Sequence, residues 1–449
     1  MFHRAPRDSR TTTHDSRLTT YDFVLAMLVF FIALWVNLSA VPTTEFHRDE
    51  ARWTHRARFL GELRQPTSAY WQERELMLGQ PPLGSYLMGL GLLAQGRDLE
   101  TNGFYDFHQK LAWNQQQGNT PEAADLLAAR RTNSVVGALI AASVFLIASG
   151  LLNPAAGIVA ALLFIPHPLS IYLSSLAGSD ALVTLTVAWA VLAAMSLARL
   201  PSWPKALLLG ILLGLGGSAK LSPLALAFPL AAAGVVLIVH GWRGRGGAAA
   251  HDAALGWRLL PQPAIAGATF VASFPFLWPD PIGRTLALFR FRASEMYNQG
   301  VIWPELNVNG PIDALGRIGS WLGEVDSVTG AAIGAVAQRF GLTWQPMGGD
   351  LMLALIGALI LLVMTIQRGL GSPTAMAALL LGSQVALVVF GMRADFSRYL
   401  LPVLMANAIC GGLAAGVAWD AVRSRVASRR SASQPQPGGV PAASEPVTP

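Results

Sequence analysis

Charge is what this sequence has least of. Only 13% of its 449 residues are Asp, Glu, Lys or Arg, against about 25% in an ordinary soluble domain. So few charges cannot cover a water-soluble surface of this extent, and 53% of the residues are hydrophobic. Cysteine is nearly absent. The single Cys410 lies in an apolar run, which excludes a disulfide within the chain and a cysteine-built metal centre. There is no internal repeat of the kind that marks many transporters. The first apolar run, residues 23–41, is not followed by a small-residue cleavage site, so it reads as a retained helix and not as a signal peptide. The net charge of +6 does not point to nucleic acid, because much of the excess sits at the two ends and in short loops.

What the sequence has instead is a series of apolar runs. A spanning helix takes about 20 mainly apolar residues. Ten segments qualify: 23–41, 132–152, 154–176, 181–198, 203–219, 221–239, 262–278, 351–366, 373–392 and 399–418. The expected fold class is all-α, a polytopic transmembrane helix bundle of about 10–11 spans with juxtamembrane helices in the first outer loop. Segment 82–95 is short for a span. Segment 312–337 carries Arg317, Glu324 and Asp326, which do not suit a lipid-facing surface.

Lys and Arg set the orientation. Arg4, Arg7, Arg10 and Arg17 stand in the head, and Arg423, Arg425, Arg429 and Arg430 in the tail. Both ends are expected in the cytoplasm, so the number of crossings is even. Ten crossings also place Arg199 with Lys205, Arg243 with Arg245 and Arg258, and Arg368 inside. A separate crossing by 82–95 would send those clusters outside, so that segment is expected to lie along or dip into the outer interface. The expected organisation is a basic cytoplasmic N-terminus (1–21), a multi-span body (22–423) with outer loops at about 42–131 and 279–350, and a disordered cytoplasmic tail (424–449) rich in Ser, Pro, Ala and Gly.

Under this topology, polar groups converge on the outer side. His47, Asp49, Glu50 and Arg52 follow the first span, and Gln80 lies in the same loop. Asp180 starts one span, Lys220 ends another, and Arg398 and Tyr399 begin the last. A charge at the centre of a spanning helix costs roughly 2.5–3.5 kcal/mol on insertion scales, and less near the interface. Each residue also has a plain reading. Asp49 and Glu50 suit the cap of an interfacial helix starting near Arg48, and Asp180 the cap of a span. Lys220 and Arg398 suit anchors at helix ends, and His47 a solvated loop. Together they suit one chemistry. A carboxylate deprotonates an acceptor hydroxyl or amine, while Lys and Arg hold a departing phosphate. A lipid-linked sugar phosphate is such a substrate.

The set resembles the C-type glycosyltransferase superfamily, above all the protein O-mannosyltransferase and aminoarabinose-transferase group, which uses polyprenyl- or dolichyl-phosphate sugars. The likeness rests on Asp49-Glu50 with Arg52, then Gln80-Pro81-Pro82-Leu83, then Arg131 or Arg130 ahead of a span. Asp180, the small-residue run from Gly214 to Lys220, and Arg398-Tyr399-Leu400-Leu401-Pro402 complete it. It covers roughly residues 23–418. The resemblance implies inverting transfer of a sugar from a polyprenyl-phosphate donor to an extracytoplasmic acceptor (protein, lipid or glycan), at a bacterial cytoplasmic membrane. It implies Asp49 as general base, with Glu50 and Asp180 shaping the acceptor or a metal site. It implies Arg52, Lys220 and Arg398 at the carrier phosphate, with Tyr399, Gln80 and Arg131 beside them. A divalent metal is left open, with Asp49 and Asp180 as candidate ligands but no ligand spacing to support it. Gln80 stands where the family usually has Lys, which removes one expected phosphate contact. Trp278 is a candidate for stacking on a sugar and equally for an interfacial aromatic belt, and loop 113–119 is a candidate for acceptor contact. Two other readings stand. One is a lipid-linked sugar or small-molecule transporter or flippase with Lys220 and Asp180 as coupling groups, against which the large outer loops and missing repeat count. The other is a membrane scaffold that kept the fold and lost activity.

Overall fold

The computed structural model describes residues 18–323, 328–341 and 349–433. The four arginines of the head, Glu324, Asp326 and the last sixteen residues of the tail, 434–449, lie outside the described residues. Helix α1 (Thr20–Ala40) opens on a capping box, in which Thr19 accepts from the Asp22 N–H and Asp22 accepts in return from Thr19. One side of α1 packs on the bundle. Phe23, Met27, Phe31 and Trp35 on the other are more than half exposed. A row of bare large apolar side chains is stable in lipid and not in water.

The loop that follows folds into short helices, among them α2 (Arg48–His55) and α3 (Leu83–Ala94). The chain then enters the bundle through α4 (Ala123–Leu151), and α5 (Pro154–Phe164) and α6 (Pro168–Ser175) return it. These two are bent by 70° at Pro166 and Pro168, where proline removes N–H donors and blocks a continuous helix. Helix α7 (Asp180–Arg199) runs down, and α8 (Trp203–Ala219) comes back. Helix α9 (Ala227–Arg243) is answered by α10 (Gly247–Leu259) and α11 (Gln262–Ala272). Two juxtamembrane helices follow, α12 (Pro281–Ile302) and α13 (Pro311–Gly323). The last three passages are α14 (Gly349–Arg368), α15 (Pro373–Gly391) and α16 (Leu401–Ser433).

Among the described residues, seven helices are long and apolar enough to cross a membrane, or eight with the bent pair counted as one. Two shorter passages complete the bundle. Helix α8 lies parallel to α11. Gln262 donates to the Ala206 carbonyl at one end, and Ser218 meets Ser273 at the other. Between them, a Cβ on Gly214 would run into Thr269 and the Ala266 carbonyl, so the two backbones touch because Gly214 has no side chain.

Two expectations are corrected here. Segment 262–278 is not one uninterrupted span. Its helix stops at Ala272, and the missing length lies upstream in α10, separated by a break at Pro261. The second outer loop carries α12 and α13. The tail does not lose structure at Ser424. Helix α16 continues to Ser433, since no Pro or Gly interrupts it after Gly416 until Pro435. Segment 82–95 forms α3, whose 12 residues reach about 18 Å, short of the roughly 30 Å of hydrocarbon. Helix α3 packs on α4 beside the first outer loop.

Candidate active site

At one end of the bundle the first outer loop, α12 and the start of α16 enclose a cavity of about 700 Å³. Asp49, Glu50, Arg52, Gln80, Asp180, Lys220, Arg398 and Tyr399 all line it. Residues up to 349 apart in sequence thus meet at one site.

Helix α2 separates its two acidic residues. His47 caps the helix, its Nδ1 accepting from the Asp49 N–H at 3.2 Å. Glu50 completes the box by accepting from the His47 N–H at 2.9 Å. Glu50 is 1% exposed and both its oxygens are occupied. Arg130 donates to it in a fork, from Nε at 2.8 Å and from Nη2 at 2.7 Å, and the Ala177 N–H donates at 2.9 Å. Arg130 also holds the carbonyls of Thr44 and Glu45. Glu50 therefore joins α2 to α4 and to the segment before α7. Asp49 turns the other way, towards the cavity, and forms an ion pair with Arg398.

The second carboxylate facing the cavity is Asp180, at the N-terminus of α7. It pairs with Lys220, which ends α8. Lys220 Nζ lies 5.6 Å from the centre of the Tyr399 ring. The Arg398 guanidinium lies 4.7 Å from the Phe396 ring centre and 5.8 Å from that of Tyr399. Burial works against the charge on Arg398, but Asp49, with Tyr399 and Asp180, holds its pKa above the ordinary arginine value. Arg52 stands over Phe104 at 3.7 Å and Phe107 at 4.6 Å and donates to the Tyr105 carbonyl at 3.1 Å. Gln80 faces the cavity while its backbone carbonyl accepts from Arg56.

Arg131 does not join this set. It is exposed on α4 and absent from the cavity wall. The neighbouring turn position, Arg130, points inward and binds Glu50. Trp278 also lies away from the cavity, its Nε1 donating to the Val271 carbonyl. In loop 113–119, Asn114 is buried and bonded to the backbone of Asp106, so it fastens the loop to itself. Among the described residues no three His, Cys, Asp or Glu side chains gather as a metal site, and Asp49 and Asp180 are each engaged by a cation.

The sequence reading missed the wall supplied by α12, with Arg292, Glu295, Asn298 and Gln299, and its neighbour Trp303. A signal was present. Asp280-Pro281 is an N-cap followed by proline at the first helical position, and Asp280 accepts from the Gly283 N–H at 2.9 Å. Asp395, one of the charged residues at the start of the last span, also lines the cavity. It accepts from Arg317 at 3.1 Å and from Trp321 at 2.8 Å, tying the start of α16 to α13.

A sequence profile of the dolichyl-phosphate-mannose-protein mannosyltransferase family matches residues 54–278, half of the chain. No curated protein matches the chain. Among solved structures it is similar to ArnT from Cupriavidus metallidurans bound to undecaprenyl phosphate, at 15% identity and a TM-score of 0.50, over 93% of this chain and 66% of that one. It is also similar to the archaeal oligosaccharyltransferase AglB from Archaeoglobus fulgidus, in complex with an inhibitory peptide and a dolichol-phosphate, at 13% identity and 0.49, over 93% of this chain and 53% of that one. The protein O-mannosyltransferase Pmt1-Pmt2 complex of S. cerevisiae, bound to its sugar donor, is similar at 18% identity and 0.40, over 58% of this chain and 35% of that one. The chain thus spans less than two thirds of the length of each. At these identities the likeness to ArnT is one of fold.

Proposed function

The chain belongs to the dolichyl-phosphate-mannose-protein mannosyltransferase family, and from that premise we propose that it transfers a sugar from a polyprenyl-phosphate donor to an extracytoplasmic acceptor. One observation carries this reading. Two carboxylate–cation pairs, Asp49 with Arg398 and Asp180 with Lys220, face one cavity where apolar helices end. A lipid phosphate has its tail in the bilayer and its head at that level.

The acceptor hydroxyl or amine attacks the anomeric carbon, and the bond from that carbon to the carrier phosphate oxygen breaks. The acceptor's proton goes to Asp49, and the bonding electrons leave with the phosphate. Negative charge therefore moves from Asp49 to the phosphate. Arg398 serves both ends of that movement. As its carboxylate partner is neutralised, its guanidinium is released to the anion that is forming, and the charge it supports is conserved. Asp180 orients Lys220, whose ammonium is the second cation at the phosphate. Glu50 positions the helix that carries Asp49 and takes no proton. Orientation follows from charge. Helix α7 has Asp180 at the cavity end and Arg199 at the other, and Arg243 and Arg368 also end helices away from the cavity. The positive-inside rule then puts the cavity outside the cytoplasm.

The test uses the full chain in liposomes with labelled polyprenyl-phosphate hexoses and a cell-envelope extract as acceptor. Loss of sugar from the carrier is expected in the wild type. In folded Asp49→Asn it should fall by about 100-fold or more, as for loss of a general base. Turnover unchanged in Asp49→Asn would overturn its role. Donor that crosses the bilayer intact would mark a transporter.

A further inference from the structure

Three cations on the cavity wall have a carboxylate of their own. Lys220 has Asp180, Arg398 has Asp49, and Arg292 has Glu295. Arg56 forms no ion pair with any described residue, although it is only 4% exposed. It caps the C-terminal end of α2, on the cavity wall, with its guanidinium centre 4.8 Å from the Phe59 ring centre and 5.5 Å from that of Trp53. Its Nη2 donates to the Gln80 carbonyl, while Nε is buried without a partner. Burial pushes its pKa down to about 9, with nearby Arg52 adding to the effect.

A buried charge without a counter-ion is destabilising, so a cation kept beside a cavity is stabilised when an anion arrives. The position selects which anion. Trp53 is a neighbour of Arg56 and of Asp180 alike, for both Trp53 Nε1 and Asp180 Oδ2 lie within 4 Å of the point a Cβ on Gly178 would take. Arg56 thus lines the same cavity as Trp53, Asp180 and Lys220, and it is bonded to the Gln80 backbone carbonyl.

We propose that Arg56 is a binding residue for the carrier phosphate, supplying the cationic contact that the neutral Gln80 does not. The proposal rests on the reading of a polyprenyl-phosphate donor. The guanidinium offers two N–H groups in one plane to a phosphate, while its remaining bond to the Gln80 carbonyl fixes the fork. Contact is made to the phosphate before and after transfer alike, so it affects donor binding more than the chemical step.

The experiment measures binding of undecaprenyl phosphate to detergent-solubilised full chain, by quenching of tryptophan fluorescence and by thermal shift, alongside KM and kcat for the sugar donor. Arg56→Gln keeps a donor for the Gln80 carbonyl and loses the charge. It is expected to weaken binding about tenfold or more and to raise KM with kcat changed less, about the size of one charge-assisted hydrogen bond. Arg56→Lys should retain most of the affinity, and Gln80→Lys should restore it in the Arg56→Gln background. Should Arg56→Gln fail to fold, Gln80→Lys in the wild type decides. A cation added beside a bound phosphate tightens binding several-fold, and unchanged affinity overturns the proposal. Wild-type affinity retained in Arg56→Gln, while Lys220→Met loses it, also overturns it and leaves the donor reading intact. No binding of undecaprenyl phosphate by the wild type would remove both.

Discussion

At the scale of residues, adjacent carboxylates on one short helix have opposite fates. Asp49 opens to the cavity and pairs with Arg398, while Glu50 is sealed against Arg130 and two backbone N–H groups. In the proposed mechanism a single step along α2 separates chemistry from support, because neighbouring helical positions point about 100° apart. The two should separate by experiment as well. Glu50→Gln leaves the Arg130 charge buried with half its partner removed, and is expected to cost about 3–5 kcal/mol of stability. Asp49→Asn breaks a partly exposed pair and should cost about 1 kcal/mol or less while removing turnover. Thermal denaturation of both variants in detergent checks this. Equal losses of stability would mean that Glu50 is not the support described.

At the scale of elements, the outer loops matter more than their hydropathy suggests. Helix α3 is apolar, with Leu90 and Leu93 half exposed, yet too short to cross. Its exposed leucines suit the lipid surface, and its buried side meets α4. A membrane-impermeant maleimide should therefore label Gln65→Cys and Asp98→Cys from the same side of the membrane, in a Cys410→Ala background. Both positions are exposed and flank α3, whereas Cys410 is buried. Labelling from opposite sides would mean that α3 crosses. Helix α12 makes a similar point. Its polar side supplies a wall of the cavity, and its sequence carries three arginines that no spanning window would admit.

At the scale of the whole molecule, the arrangement separates charge by function. The end opposite the cavity holds Arg199, bonded to the Gly150 carbonyl, and Arg368, bonded to the Leu151 carbonyl. These fasten the helix ends together. Under the proposed orientation this end is the cytoplasmic one by the positive-inside rule, and the even number of crossings expected from the sequence would bring both termini to it. Green fluorescent protein fused to either end should then fluoresce in cells, and a periplasm-dependent phosphatase at either end should stay inactive. Opposite signals from the two ends would require an odd number of crossings and would reverse part of the bundle.

The sequence by itself determined the membrane class and the helical fold, and eight of its nine candidate site residues line the cavity. Apolar length and scarce charge are local properties, and a charge beside hydrocarbon is conspicuous wherever it stands. The early choice between Arg130 and Arg131 was beyond it, because both positions precede the same span and only the rotation of α4 turns one inward. So were the division of labour between Asp49 and Glu50, the wall formed by α12 and the isolation of Arg56. Each depends on which side chains from distant segments supply a counter-charge. That is decided when the helices pack, since pairing across hundreds of residues leaves no pattern along the chain.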